Sequence, residues 1–192
     1  MRFIFWNIRG FGHVGRRTQL KEFIRVEDID VVGLQETIKT EFSHRDLLAI
    51  DPLERFVWHW VPAVGHSGGL LLGVSLVCCK VVAWDAGRFF VSAHVCHRAT
   101  LREWEVIVVY GPADHSHSQE FLGELQEKVA TLGARNLPLI VGGDFNLIRS
   151  GADKNNGIIN WTRVSMFNNA IASMALREVA AWALDTLGQT SS

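Results

Sequence analysis

Asn7, Glu36, Tyr110, Asp144 and Asn146 are residue types that handle phosphate groups and hard cations, and each follows an apolar run. Asp144 and Asn146 close the stretch Leu139–Asn146, which reads Leu-Ile-Val-Gly-Gly-Asp-Phe-Asn. Their spacing of two puts both side chains on one face if strand geometry continues past the glycines. A carboxylate and a carboxamide at the carboxyl end of a buried strand suit a hard cation or an attacking water. An Asx-rich turn explains the same stretch equally well, because Gly, Asp and Asn are ordinary turn residues. The other strand ends break the tie. One buried carboxylate is usually a cap or half of an ion pair, whereas polar groups on several strand ends point to one shared site. In such a site Glu36 suits a magnesium ion, which prefers oxygen donors and keeps several waters. Asp144 suits a water-orienting base. Asn7 and Asn146 can hold the metal shell or the phosphate, and Tyr110 can donate to a phosphate oxygen.

Alternating elements must position these groups. Phe3–Ile8 reads as a buried first strand, followed by a loop with Gly10, Gly12 and Gly15. Arg16–Glu27 reads as a helix with Leu20, Phe23 and Ile24 on one face. Asp30–Leu34 is a second buried strand ending at Gln35-Glu36-Thr37. The β-α-β order implies a crossover that sets Asn7 and Glu36 at the same ends of neighbouring strands. Thr37–Pro52 is an irregular or partly helical connection. Phe56–Val61, Gly69–Val74, Val77–Trp84, Phe89–Val95 and Glu103–Tyr110 are short runs separated by turn signals, the spacing of antiparallel strands. Ser116–Leu132 reads as a helix with Ser116 and Gln119 at capping-box spacing. Pro138–Val141 is a strand, after which two glycines turn the backbone. Thr162–Leu176 is a helix with Val164, Phe167, Ile171 and Met174 inward and Thr162 as its N-cap.

The 192 residues fit one domain with a sizeable core, and 48% of them are apolar, which excludes a disordered chain. A net charge of −1 advertises no field for nucleic acid, although Arg16, Arg17 and Lys21 are local basic groups. Cys78, Cys79 and Cys96 are odd in number and lack metal spacing, which points to a reducing compartment. No run reaches the length of a membrane span, and the N-terminal apolar run is too short for a signal peptide. His115 and His117 read as part of a polar turn, His94 and His97 as structural, and Cys78-Cys79 as core.

Taken together, Trp6-Asn7-Ile8-Arg9-Gly10, Leu34-Gln35-Glu36-Thr37, Tyr110-Gly111-Pro112 and Gly142-Gly143-Asp144-Phe145-Asn146 resemble, in order, the motifs of the endonuclease/exonuclease/phosphatase family. That family includes DNase I and the apurinic/apyrimidinic endonucleases. Gly68-Gly69-Leu70-Leu71 and Leu147-Ile148-Arg149 are similar to the endonuclease domain of plant LINE-type non-LTR retrotransposons. The resemblance implies an α/β fold, a DNase I-like two-sheet sandwich with helices outside, and magnesium- or manganese-dependent hydrolysis of a phosphodiester. Glu36 would bind the metal and Asn7 would support it. Tyr110 would contact the scissile phosphate, Asp144 would orient the attacking water, and Asn146 would stabilise developing charge. Asn7, Arg9 and Tyr110 would contact substrate. Arg9 stands where some family members carry an acidic residue.

The resemblance runs over 1–179, and 180–192 reads as a divergent tail. The family continues with further strands carrying another Asp and a closing Asp-His, whereas the last histidine here is His117. The expectation is therefore a C-terminally truncated domain with impaired catalysis. The alternative is a non-catalytic interaction protein that binds a protein partner through its uncovered sheet. DNA or another phosphoester is the expected ligand, no membrane contact is expected, and the location is intracellular, nuclear or cytoplasmic.

Overall fold

A computed structural model describes residues 1–64, 67–151 and 159–179. Eight strands form two four-stranded mixed sheets. The first sheet holds β1 (Phe3–Asn7), β2 (Val31–Gln35), β4 (Ser67–Ser75) and β3 (Phe56–Val64), in that spatial order. The second holds β5 (Cys79–Ala86), β6 (Phe90–His97), β7 (Glu103–Tyr110) and β8 (Leu139–Asp144). β1 and β2 are parallel, as are β7 and β8, and the remaining pairs are antiparallel. A chain reversal with no room for a helix forces antiparallel neighbours, and a helical crossover permits parallel ones.

Strand alternation sorts the apolar side chains into three layers. Val31, Leu70, Leu72 and Val74 of the first sheet meet Val91, Ala93, Val95, Val106 and Val108 of the second, closing the sandwich interior. The other face of the first sheet, with Ile4, Val32, Leu34 and Leu71, is covered by Leu20 and Ile24 of α1 (Val14–Val26). Beside it, α2 (His44–Leu48) lies in the connection before β3 and starts at a Ser43/Asp46 capping box. The other face of the second sheet packs Ile107 and Val109 against Phe121, Leu122, Leu125, Val129 and Leu132 of α3 (Ser118–Ala134). Phe167 and Ile171 of α4 (Trp161–Ser173) complete that layer. This is the α/β sandwich expected of the sequence, with helices on both outer faces.

Three local expectations are corrected. α3 begins at Ser118 rather than Ser116, because Ser116 sits in a short 3₁₀ turn, His115–His117, whose cap is Asp114. Asp114 Oδ1 accepts the Ser116 N–H at 3.0 Å, so Ser116 is the capped residue and not the cap. Asn160, not Thr162, caps α4 by accepting the Arg163 N–H. Finally, β8 does not stop at Val141. Its pairing with β7 continues through both glycines to Tyr110↔Asp144, so the turn comes later than the glycines suggest. No helix among the described residues is long and apolar enough to cross a membrane. The expected tail, 180–192, lies outside the described residues.

Candidate active site at the carboxyl ends of β1, β2, β7 and β8

Phe5 explains why β1 and β8, on different sheets, come together. Its ring occupies the space that side chains would take at Gly33 and Gly142: a Cβ at Gly142 would lie 2.4 Å from a Phe5 ring carbon, and one at Gly33 2.8 Å. Both glycines serve close approach. Two residues further along each strand, on the same face, stand Asn7 and Asp144. The contact that seats Phe5 on Gly142 therefore also delivers Asn7 Nδ2 to 2.8 Å from Asp144 Oδ2.

Glu36 arrives by a different route. Continued alternation along β2 would send it to the helix side with Val32 and Leu34. Instead β2 ends at Gln35, and Glu36 adopts φ +52°, a left-handed conformation that redirects its side chain. The turn is pinned by Gly10 N–H donating to Glu36 O at 2.7 Å and Thr37 N–H donating to Gly69 O at 3.1 Å. Glu36 Oε1 then accepts from Asn7 Nδ2 at 2.8 Å and from the Tyr110 hydroxyl at 3.0 Å. Tyr110 ends β7 in register with Asp144.

Asn7 is thus a neutral bridge between two carboxylates. Its Oδ1 accepts the Arg9 N–H at 3.2 Å, while its amide nitrogen donates to Glu36 and Asp144. The reversed amide would aim oxygen at two carboxylates, so the network fixes this orientation. In it Asn7 offers no oxygen inward, which makes it a support for the site more than a ligand. Asn146 does not continue the strand either. It has φ +50°, and its N–H donates to Asp144 Oδ1 at 3.0 Å, an Asx turn. Its Nδ2 donates to Gly111 O at 2.7 Å. The two readings of the Asp-Phe-Asn stretch are therefore compatible: the turn holds Asp144 in place.

Tyr110 carries the shifted titration. Burial pushes its hydroxyl pKa up to about 12, and the Glu36 carboxylate that accepts its proton adds to the rise, as does the charge of Asp144. At neutral pH Tyr110 is therefore a hydrogen-bond donor. Arg9 is exposed, and its backbone, at φ +47°, makes the Asn7 contact; among the described residues its guanidinium makes no hydrogen bond or ion pair.

All the donors the cluster offers a cation are oxygens. Glu36 Oε2 accepts no hydrogen bond among the described residues, and Asp144 supplies a second carboxylate. Among the described residues no group of three or more His, Cys, Asp or Glu converges as a metal site. One or two carboxylates with open positions suit magnesium or manganese, which complete their shells with water, and do not suit zinc. Three of the histidines named in the sequence are engaged away from the cluster. His94 pairs with Glu103 at 3.0 Å, His97 with Thr100 at 3.0 Å and His117 with Glu120 at 3.1 Å. Cys79 is buried, and burial pushes the Cys78 thiol up to about 12, which leaves it unreactive at neutral pH. Two residues singled out in the sequence contribute in ways that their sequence reading did not assign. Gly111 permits the Asn146 lock, since a Cβ there would lie 1.9 Å from Phe145 O. Arg16 binds the backbone carbonyls of Ile8 and Arg9. A glycine directly after Tyr110 was a readable signal, but carbonyl partners leave none.

A model described as the Endonuclease/Exonuclease/phosphatase family matches residues 4–172. No curated protein sequence matches. Among solved structures, the AP endonuclease LMAP of Leishmania major is similar with a TM-score of 0.69 at 14% identity, covering 90% of this chain and 66% of that one. The APE2 catalytic domain of Xenopus laevis gives 0.63 at 18% identity, covering 89% and 67%. The human Nocturnin catalytic domain gives 0.63 at 18% identity, covering 78% and 66%. At such identities the likeness is one of fold, and this chain spans about two thirds of each of those chains.

Proposed function

The chain belongs to the endonuclease/exonuclease/phosphatase family, and from that membership and the Asn7-bridged Glu36–Asp144 pair we propose that it derives from a divalent-metal phosphodiesterase acting on DNA. The observation that carries this reading is the bridge itself. Two carboxylates from different sheets are held around one amide, beside a protonated tyrosine, at one end of the sandwich. A structural role alone needs no such convergence of acidic groups, which repel unless something separates them.

In this reading Glu36 would hold magnesium or manganese, and the bound ion would supply Lewis-acid polarisation of the phosphate. The chain's own groups do the rest. Asp144, held by Asn7 and the Asn146 N–H, orients the attacking water and accepts its proton at Oδ2. Tyr110 donates its hydroxyl to a phosphate oxygen once substrate competes with Glu36 for it. Asn146 uses its second amide hydrogen toward developing charge, the first being given to Gly111 O. Arg9 pairs with a flanking phosphate. LINE-type retrotransposon endonucleases from plants are the proposed kin, supported by Gly68-Gly69-Leu70-Leu71 and Leu147-Ile148-Arg149. An intracellular location is proposed on three free cysteines.

Impaired hydrolysis belongs to the same proposal. Among the described residues no histidine hydrogen-bonds to the cluster, so the general acid is unassigned. Losing one group that stabilises the transition state commonly costs about 10²–10³ in rate. The second reading, a non-catalytic interaction protein, is favoured by β1 and β8, which carry no further strand on their outer sides among the described residues. Ile140 in β8 is 38% exposed, and an open edge of this kind accepts a strand from a protein partner. Plasmid nicking in magnesium against EDTA tests the choice. Trace nicking, lost in Glu36→Ala and Asp144→Ala, fits the degraded enzyme. Robust nicking lost in Asp144→Ala overturns the impairment, and nicking indifferent to both substitutions removes the site.

A further inference from the structure

Arg16 stands in the first turns of α1, about two residues past the helix start, and its guanidinium faces no carboxylate among the described residues. Among the described residues it binds two backbone oxygens: Nη1 donates to Ile8 O at 2.9 Å and to Arg9 O. These are the carbonyls that follow β1. A half-buried guanidinium committed to neutral carbonyls is an unusual use of a cation that most often sits in water or beside an acid. The loop it grips is the one that orients Asn7.

The conformation of that loop explains why a grip is needed. Arg9 at φ +47° and Gly10 at φ +102° are consecutive left-handed residues. A non-glycine residue in that region carries strain that its surroundings must hold in place. The reversal turns the Arg9 N–H back onto Asn7 Oδ1, and that bond holds the oxygen end of the amide outward while Glu36 and Asp144 hold the nitrogen end inward. On one side the loop is fastened to the β2 extension by Ile8 N–H to Gln35 O at 2.9 Å, Gly10 N–H to Glu36 O at 2.7 Å and Phe11 N–H to Thr37 O at 2.8 Å. Arg16 fastens the carbonyl side.

We propose that Arg16 is a positioning residue: by binding the carbonyls of Ile8 and Arg9 it holds the Arg9 N–H against Asn7, and so keeps the Asn7 amide bridging Glu36 and Asp144. Arg16 touches neither carboxylate. It acts through two links, the backbone turn and the amide rotamer. The proposal rests on the functional reading above for its significance, but its geometry does not depend on catalysis. Arg16 serves both carbonyls from one nitrogen, and the lysine ammonium also has several donors on one nitrogen, but its stem is shorter and its head lacks the planar pre-organisation, so partial rescue is expected. Glutamine retains a donor without the charge.

The test is ¹⁵N labelling of asparagine and arginine in the full chain, with the Asn7 side-chain amide identified by its loss in Asn7→Asp and the Arg9 N–H by its loss in Arg9→Lys. In the wild type both amide protons are hydrogen-bonded to carboxylates, so they resonate downfield, apart from one another, and exchange slowly. Arg16→Ala is expected to collapse this pair toward the solvent-exposed position and to speed exchange of the Arg9 N–H about tenfold, the worth of one hydrogen bond. Arg16→Lys should fall between the two. If Arg16→Ala does not fold, the Arg16→Lys and Arg16→Gln series gives the same ordering. An Asn7 amide signal unchanged in folded Arg16 variants overturns the proposal. So does a signal lost equally in Arg16→Lys and Arg16→Ala. The readout uses neither metal nor DNA, so absent nicking leaves this result standing, and an unchanged signal leaves the nicking result standing.

Discussion

Tyr110 is the only tyrosine in the chain, so its ionisation can be read without interference. Its hydroxyl lies 3.0 Å from Glu36 Oε1 and its pKa is pushed up to about 12. Replacing Glu36 with glutamine removes the charge that a phenolate would face while keeping a hydrogen-bond acceptor. At 3.0 Å two unit charges repel by 332/(80 × 3.0), about 1.4 kcal/mol even with the full dielectric of water. That corresponds to about one pH unit. Burial, the largest cause of the rise, stays in place. Glu36→Gln should therefore bring Tyr110 down to about 11, and Glu36→Ala, which also removes the acceptor, somewhat further. The assay is an alkaline pH jump with stopped-flow detection of phenolate absorbance, read before the protein unfolds. A wild-type midpoint near the ordinary tyrosine value, or a midpoint unmoved by Glu36→Gln, would refute the reasoning that couples these two groups. The same shift carries a stability consequence. The raised pKa means the folded state holds the proton more tightly than the unfolded chain. This contribution is fully present below the ordinary pKa of about 10 and is lost as pH rises through about 12.

Further outcomes follow from the packing and the caps. Gly142→Ala places a methyl group 2.4 Å from a Phe5 ring carbon and should destabilise the fold by about 1–3 kcal/mol in denaturant melts, with Asn7 and Asp144 driven apart. A variant as stable as wild type would show that β1 and β8 are not held together there. Asp46 accepts from Lys39 and Ser43, which hold its carboxyl down at about 2 against its burial, so its stabilising contribution is present above about 4 and fades as pH falls toward 2. Asp46→Asn should flatten acid denaturation over that window, and an unchanged profile would count against it. Ser43→Ala, which removes the reciprocal half of that capping box, should cost about 1 kcal/mol by thermal melting. In plasmid nicking the wild type is expected to show trace cleavage at most in magnesium, and strong cleavage would restore a competent nuclease.

Much of the sandwich could be read from the chain because strand identity lies in the alternation and in turn residues. Phe3–Asn7, Val31–Gln35 and Glu103–Tyr110 each declare themselves by apolar runs that stop at a polar residue. Helix starts were less legible. Ser116 competes with Asp114, and Thr162 with Asn160, and which one caps depends on backbone angles two residues away. The residue types of the cluster were visible, but their relations were not. Nothing local says that Glu36 leaves strand geometry at φ +52°, nor that Asn146 turns its N–H back onto Asp144. The Asn7 amide is held by Glu36 and Asp144 on one end and by the Arg9 N–H on the other, and a backbone N–H is a group that every residue but proline possesses.

Titration calorimetry with manganese on the wild type and Glu36→Gln, both shown to be folded by circular dichroism, tests most directly whether this cluster is the metal site of a phosphodiesterase. A single weak site in the wild type that is lost in Glu36→Gln is the predicted result. Equal binding by the two proteins, or no binding by the wild type at millimolar manganese, would contradict it.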